Sequence, residues 1–314
     1  MTAANLREQI VHVSGPGVLE RMISPPAHRF ASHWIEDSVR RSARMRVYAV
    51  SRKVGRPQGD LQNLCEVFDG GFTMDGSAGL GLVFYAPTIK DAAPRLLDQP
   101  SLFGDNLDPE DTVFDLLNDA ISDVRTEYKD SSRFDKDLLG DFTRLIGSHE
   151  RGIDQLQIGS LRYAQPAVAD SVLGQRAESL LAVTPPPRRV RMTAELDMVR
   201  VSDAVFELIV ADPEDRVRAV WIGDDPQELG HLLRKSVLVE GDLVYRPNGR
   251  PLRLEAERIR PATHFDQAFA AAPRPAVEVR TTKPANAISY KQLIGSWPGD
   301  ETDEELRKLL EAIS

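Results

Sequence analysis

The chain has 314 residues, a formal net charge of −9 and a single cysteine, Cys65. This length suits two or three domains, the acidic balance excludes a molecule whose overall field attracts nucleic acid or anionic membranes, and one cysteine excludes an internal disulfide. No apolar run is long enough to span a bilayer, and residues 1–10 lack the apolar core of a signal peptide, so we expect a cytoplasmic protein. Because Cys65 lies in an apolar-rich run, it is expected to be a small buried side chain and not a nucleophile.

The first hundred residues predict a mixture of helices and strands. Asn5–Val13 fits either a short helix or a strand, and residues 28–43 carry apolar side chains at helical spacing. Met45–Val50 alternates apolar and polar residues like a strand, and Leu80–Tyr85 is a short apolar run typical of a buried strand. We therefore expect residues 1–183 to form one mixed α and β domain.

Glycines are concentrated between Gly70 and Gly81. A Walker A loop needs Lys followed by Ser or Thr after its last glycine, whereas Leu82 and Val83 follow here. A dinucleotide fingerprint needs a helix after the glycines, whereas the next residues read as a strand. The stretch therefore predicts a flexible hairpin or loop and no nucleotide site.

Residues 108–147 predict a helical hairpin. Asp108-Pro109-Glu110-Asp111 has the composition of a helix start, and two apolar faces follow on either side of the polar connection Lys129–Arg133. Asp115, Asp119 and Asp123, spaced by four, could bind a divalent cation. A solvated helix face is the commoner meaning of such a row, and we predict no metal site.

Residues 187–261 form the most regular part of the pattern, bounded by Thr184-Pro185-Pro186-Pro187 and Pro261-Ala262-Thr263. Three short strands, a helix at Pro226–Lys235, and two further strands follow one another. This order is that of an OB-fold barrel. The predicted fold class is therefore α+β: a mixed N-terminal region with a helical hairpin, a five-stranded OB-like β-barrel, a linker and a C-terminal helix.

OB-folds often bind single-stranded nucleic acid with basic and aromatic side chains. The candidate residues here are one tyrosine, predicted to lie on the surface, and six arginines: Arg188, Arg189, Arg191, Tyr245, Arg246, Arg250 and Arg253. Residues 188–261 hold 13 basic and 14 acidic side chains, a net of 13 − 14 = −1, whereas dedicated nucleic-acid binders are usually basic. The arginines could equally be a docking surface for the acidic hairpin or tail.

Beyond the barrel, residues 262–285 have the alanine- and proline-rich composition of a mobile linker, and residues 286–314 predict a partner-binding tail. The tail has an aromatic residue, an acidic turn and a helix with one apolar face. Its candidate contact residues are Tyr290, Trp297, Asp300, Glu301, Leu306, Leu309, Leu310 and Ile313. Such a tail could lie on a partner or fold back on its own domain.

The segment from Gly295 to Leu306 resembles the short C-terminal tails of bacterial antitoxin-like proteins linked to PIN-type nucleases. The resemblance covers about the last 26 residues and implies that Trp297 anchors the tail on a partner protein, with the acidic residues near a basic or metal-binding cleft. It does not extend to the barrel or to the helical hairpin.

The sequence contains no nucleophile elbow, no His-Glu-x-x-His and no cysteine pair, so we predict no catalytic residues and no cofactor. The leading hypothesis is a non-catalytic binding protein whose tail engages another protein, in its finer form by antitoxin-like restraint of a nuclease. The alternatives are a single-stranded nucleic-acid-binding protein acting through the barrel, and an enzyme with its site in residues 1–100. No hypothesis involves a membrane.

Overall fold

The computed structural model describes residues 6–52, 59–75, 79–97, 107–160, 162–201, 204–210, 216–223 and 226–269. These residues form the predicted α+β fold with a closed five-stranded barrel. The predicted C-terminal helix and most of the linker lie outside the described residues. Among the described helices, none combines the length and apolar composition that crossing a bilayer requires.

The N-terminal region is built on a five-stranded antiparallel sheet of order β4-β5-β1-β6-β7. A separate two-stranded hairpin, β2 with β3, follows the first strand. The strands are β1 (Leu6–Ser14), β2 (Val18–Leu19), β3 (Met22–Ile23), β4 (Phe68–Asp75), β5 (Gly79–Pro87), β6 (Gln155–Ile158) and β7 (Ala167–Asp170). The glycine-rich stretch thus lies in the antiparallel pair β4 and β5, which confirms the predicted hairpin.

Helices pack on one face of this sheet. They are α1 (Pro25–Tyr48), α2 (Gly59–Leu64), α3 (Ile89–Ala92), α4 (Val113–Arg125), α5 (Lys136–Thr143) and α6 (Ser171–Val183). Their apolar sides and the inner side chains of β1, β5 and β6 form one core around the fully buried Trp34, Phe114 and Phe142. Helices α4 and α5 lie in the region where a helical hairpin was predicted, but each packs mainly against α1 and α6 and not against the other. Helix α4 is capped by Thr112, so the helix start predicted at Asp108-Pro109-Glu110-Asp111 was wrong.

Helix α1 begins with Ser24, whose side chain accepts from Ala27 N, and ends at Ala49, which adopts a left-handed φ of 55°. It therefore runs through Met45–Tyr48, where a strand was predicted, and that prediction was wrong. The reason is that the two sides of the last turn face different cores. Val47 packs into the main core, whereas Met45 and Ala49 pack against the barrel, so burial on both sides imitates the alternation of a strand.

The barrel is closed in the order β10-β12-β11-β8-β9, with a parallel pair between β10 and β12 and antiparallel pairs elsewhere. Its strands are β8 (Arg188–Arg200), β9 (Val205–Ile209), β10 (Arg216–Trp221), β11 (Ser236–Tyr245) and β12 (Pro251–Pro261). A 3-10 helix, Pro226–Leu232, connects the third and fourth strands where a helix was predicted. This arrangement is compatible with an OB-fold.

Strand β11 comes unusually close to β12 at Gly241, beside a register shift. A Cβ at this position would lie 2.1 Å from the carbonyl oxygen of Glu255, so only glycine fits there. Such irregularities bend a strand, which helps a sheet of only five strands to close into a barrel.

Candidate functional sites

The barrel packs against the helical region through a contact surface that we call the seam. Its apolar part joins Met45, Ala49 and Val50, at the end of α1, to four side chains on the outside of the barrel: Val205, Val220, Val244 and Leu252. These seven side chains are each at most 8 % exposed. These four outward-facing side chains of the barrel are therefore buried by the seam. From strand alternation alone, side chains on the outside of the barrel would be expected to face solvent.

Arg253 lies at the centre of the seam and is 3 % exposed. Its guanidinium donates to Asp135 Oδ2 at 3.1 Å, to Glu255 Oε1 at 2.8 Å and to the carbonyl oxygen of Ala49 at 2.7 Å. Asp135 also accepts from Ser51 and caps α5 by accepting from Leu138 N. Every charged group in this array therefore has an oppositely charged partner, which is what burial of charge requires.

The rim of the seam is formed by the turn between β11 and β12. Arg246 and Arg250 both pair with Asp130, at 2.8 Å and 3.2 Å, and the Asn248 side chain donates to the same carboxylate at 2.7 Å. Burial raises the pKa of Asp130, but hydrogen bonds from Arg246 and Asn248 outweigh this, so the pKa lies below its usual value. Arg246, Arg250 and Arg253 thus contact the helical hairpin, as in the docking alternative considered from the sequence.

The remaining candidates for nucleic-acid contact lie apart from these three. Arg189 pairs with Glu257 at 2.6 Å, Arg191 pairs with Glu240 at 2.7 Å, and Arg188 is exposed. Tyr245 is only 3 % exposed and belongs to the barrel core, so its predicted surface position was wrong. A register shift separates Val244 from Tyr245, and the two face the seam and the barrel core respectively, so both neighbours are buried.

The acidic row on α4 is a second polar site. Asp115 and Asp119 are 1 % and 2 % exposed, so the interpretation of this row as a solvated face was wrong. Asp115 accepts from Thr112 N in a capping box and from Ser160 Oγ at 2.5 Å. Residues 159–163 cover this side of the helix, and because they are distant along the chain, no local pattern predicts that contact.

Asp119 and Asp123 continue the row. Asp119 Oδ1 accepts from the Tyr163 hydroxyl, whereas Asp119 Oδ2 is buried without a hydrogen bond from the described residues. The nearest cations to Oδ2 are Arg162 at 3.7 Å and Arg133 at 3.9 Å. Asp123 accepts from Ser131 Oγ at 2.6 Å and from Arg133 at 3.1 Å.

Two groups in this cluster, Asp111 and Tyr163, have raised pKa values. Burial raises the pKa of Asp111 to about 6; the nearby Arg162 guanidinium opposes this, while the charges of Asp115, Asp108 and Asp119 add to it. Burial together with the hydrogen bond to Asp119 raises the pKa of Tyr163 to about 12. Clusters of perturbed groups beside a cleft are common at functional sites. Within the described ranges, no group of three or more His, Cys, Asp or Glu side chains is placed to hold a metal ion.

A pocket of about 580 Å³ opens beside this cluster, between α4 and residues 163–168. Asn118 lines it and is 3 % exposed; its Nδ2 donates to the carbonyl oxygen of Gly159 at 3.4 Å. Its Oδ1 accepts no hydrogen bond from the described residues. Sequence reasoning missed Asn118, although one signal was available: Asn118 interrupts the apolar stripe that Phe114 and Ile121 continue at helical spacing.

The edge of the N-terminal sheet exposes apolar side chains. Strand β4 pairs only with β5 among the described strands, and Phe68, Phe72 and Met74 on it are 44 %, 54 % and 45 % exposed. A bulge between Asp69 and Gly71 reverses the side-chain alternation, because Phe68 lies opposite Tyr85 whereas Phe72 lies opposite Leu82. Phe72 and Met74 therefore stand on the helix-bearing face, where the ring of Phe72 lies 5.3 Å from that of His28.

Two further sequence predictions concern the thiol and the tail. Cys65 is partly buried against the main core, and burial raises the pKa of its thiol to about 11, which opposes a nucleophilic role.

The eight predicted contact residues of the tail, from Tyr290 to Ile313, lie outside the described residues. Their role stays a prediction.

Comparisons with known proteins give no relative from which a role could be transferred. The chain matches no protein-family model, and neither the curated proteins nor the solved structures contain a significant match to it.

Proposed function

We propose that this protein is a non-catalytic binding protein that engages another protein chain. The observation that carries the proposal is the exposed apolar edge at Phe68, Phe72 and Met74 on β4. A free strand edge offers unpaired backbone groups to an incoming strand, and apolar side chains beside it add burial to that pairing. Proteins usually block such an edge with charges, proline or a bulge; β4 has Asp69 and Asp75 near its ends and a bulge between Asp69 and Gly71, but the stretch Phe72–Met74 between them carries no charge and no proline.

The predicted tail supplies a second contact in this proposal. Trp297 and the apolar residues Leu306, Leu309, Leu310 and Ile313 would anchor it on the same partner. A nuclease as that partner is the finer form of the proposal, and it rests only on the resemblance of the last residues to antitoxin tails.

Binding of single-stranded nucleic acid by the barrel receives less support. Of the seven residues considered for it, Arg189, Arg191, Arg246, Arg250 and Arg253 pair with acidic side chains, and Tyr245 is in the barrel core. An arginine that is already paired with a carboxylate must break that ion pair before it can bind a phosphate.

The test compares affinity capture from lysate by four versions of the full chain. Phe72→Lys with Met74→Lys places charge on the edge, Trp297→Ala with Leu306→Asp disrupts the tail, and Phe265→Lys is a control at an apolar residue that is 89 % exposed elsewhere. We expect one specific protein band that the wild type and Phe265→Lys retain and both double variants lose.

A band that survives the β4 double variant at wild-type intensity would contradict the role of the edge. Nucleic acid recovered equally with all four versions, measured by the ratio of absorbance at 260 and 280 nm, would move the function to the barrel. Circular dichroism of each variant separates loss of binding from loss of folding.

A further inference from the structure

We infer that a cleft between the second half of α1 and residues 61–67 binds a small organic anion, a carboxylate or phosphate group joined to a short apolar body. The cleft has a volume of about 230 Å³. This is below the roughly 300–1,000 Å³ of sites for drug-sized ligands, so the cleft suits a smaller molecule. The inference does not rest on the proposed function, because the cleft does not include the apolar edge of β4.

Two arginines of α1 give the cleft its positive charge. Arg40 and Arg44 are four residues apart, so they lie on the same side of the helix, and both line the cleft. Like charges at this spacing repel each other, and a bound anion would relieve that repulsion. Among the described residues of the lining, Glu66 alone is acidic; it is exposed and pairs with neither arginine.

Arg44 is the group most open to a ligand. It is partly buried, yet it forms no hydrogen bond or ion pair with the described residues. By contrast, Arg41 on the same turns of α1 pairs with Asp141. Half-buried arginines usually have such a partner, and the fork of N–H donors on a guanidinium matches two oxygens of a carboxylate or phosphate.

Arg40 can assist at little cost. Its ion pair with Glu36 is 3.4 Å long, and the two side chains are 41 % and 42 % exposed. Exposed pairs of this kind contribute little free energy, about 0.2–1 kcal/mol, so Arg40 can turn from Glu36 to a ligand.

Cys65 shows that both positive charges act inside the cleft. Its thiol lines the cleft, and burial raises the pKa of this thiol to about 11, while the charges of Arg44 and Arg40 lower it. The thiol therefore stays neutral near pH 7 and does not neutralise the arginines. In partly buried surroundings, the attraction between these charges and an anion is stronger than in bulk water.

The remaining lining accounts for the apolar body of the ligand. Leu61, which is 3 % exposed, and the partly buried Val67 supply apolar walls, and the exposed Gln62 adds an amide that can donate a hydrogen bond. Such a lining suits a ligand with an anionic end at the arginines and an apolar end against the walls. Benzoate and phenyl phosphate are small molecules of this form.

The experiment titrates the full chain with benzoate, phenyl phosphate and benzamide and follows binding by saturation-transfer NMR. Benzamide has the shape of benzoate but no charge. We expect at least one of the two anions to bind with a Kd of about 1 mM or tighter, and benzamide to bind at least about tenfold more weakly. The tighter anion identifies the ligand as a carboxylate or a phosphate. No binding of either anion, or equal binding of benzoate and benzamide, would overturn the inference.

Two charge variants of α1 locate the binding. Arg44→Gln should weaken binding of the tighter anion at least about tenfold, because it removes the charge and keeps a polar side chain. The control is Arg29→Gln, which changes the net charge equally at an exposed position outside the cleft and should change the Kd by less than about twofold. An equal loss in both variants would show attraction by overall charge and would reject the site.

A third variant tests the site even if Arg44→Gln proves unstable. Gln62→Glu keeps the size of an exposed side chain but adds a carboxylate to the lining, so it should weaken anion binding at least about threefold and leave benzamide unaffected. Unchanged affinity for the anion in a folded Gln62→Glu variant would show that it binds elsewhere.

Discussion

The seam and the α4 cluster both bury charged side chains, but they complete their hydrogen bonds differently. At the seam, Arg253 is met by Asp135, Glu255 and a backbone carbonyl, all within 3.1 Å. In the α4 cluster, Asp119 Oδ2 and Asn118 Oδ1 accept no hydrogen bond from described residues, and a pocket opens beside them. A completed array fixes how two parts of a protein pack, whereas an incomplete array beside a cavity is suited to receiving a ligand.

The largest effect is expected from breaking the centre of the seam. Arg253→Ala leaves Asp135 buried without its cation, while Glu255 keeps its pair with Arg52, and loss of one partner from a buried pair costs about 3–5 kcal/mol of unfolding free energy. Urea denaturation would measure this. Arg258→Ala, at an exposed position on the same strand, is the control and should change stability by less than about 0.5 kcal/mol.

A smaller loss is expected in the α4 cluster. Tyr163→Phe removes the hydroxyl that donates to Asp119, and a hydrogen bond to a charged group contributes about 1.5–3 kcal/mol. Because Tyr163 is 42 % exposed, we expect the lower end of that range. Tyr128→Phe, at a tyrosine that is 53 % exposed, is the matched control, and an equal loss in both variants would show that the Asp119 contact contributes nothing.

The rim of the seam should contribute less than its centre. Asp130→Ala removes the partner of Arg246 and Arg250, and pairs of this partly exposed kind contribute about 0.2–1 kcal/mol. Salt screens exposed pairs but not buried ones, so the loss should shrink at high salt. The loss from Arg253→Ala should persist, and equal salt sensitivity of the two variants would contradict the distinction between rim and centre.

The last prediction concerns the pH dependence of stability. The folded-state pKa of Asp111, about 6, lies above the ordinary value of 3.8, so between these values the folded protein binds more protons than the unfolded chain. Asp111 therefore makes stability fall as pH rises from about 4 to about 6, with no further change above that window. Asp111→Asn should remove this fall.

Thermal melting of wild type and Asp111→Asn at several pH values measures the difference directly. The comparison cancels the contributions of other groups, such as Asp141, whose pKa burial also raises, and Asp266, whose pKa the Arg260 side chain lowers. Parallel curves for the two proteins would mean that Asp111 titrates normally.

The sequence by itself determined the barrel and the helices α4 and α5. Both depend on short-range patterns: alternation and turn residues for the strands, and apolar stripes for α4 and α5. Phe206 on β9 and Trp221 on β10 lie in the barrel core, on the faces that strand alternation assigns to the apolar residues. Such features are local, so neighbouring residues carry enough information to specify them.

Only the tertiary structure decided what the charged and aromatic residues contact. Met45–Tyr48 resembled a strand because two cores meet at the end of α1. Tyr245 was predicted on the surface but is buried because, after the register shift at Val244, its side chain points into the barrel core. Asp119 meets Tyr163, and Arg253 meets Asp135, across 44 and 118 positions of the chain. Burial of a polar group depends on such distant partners, and no periodicity in the sequence records them.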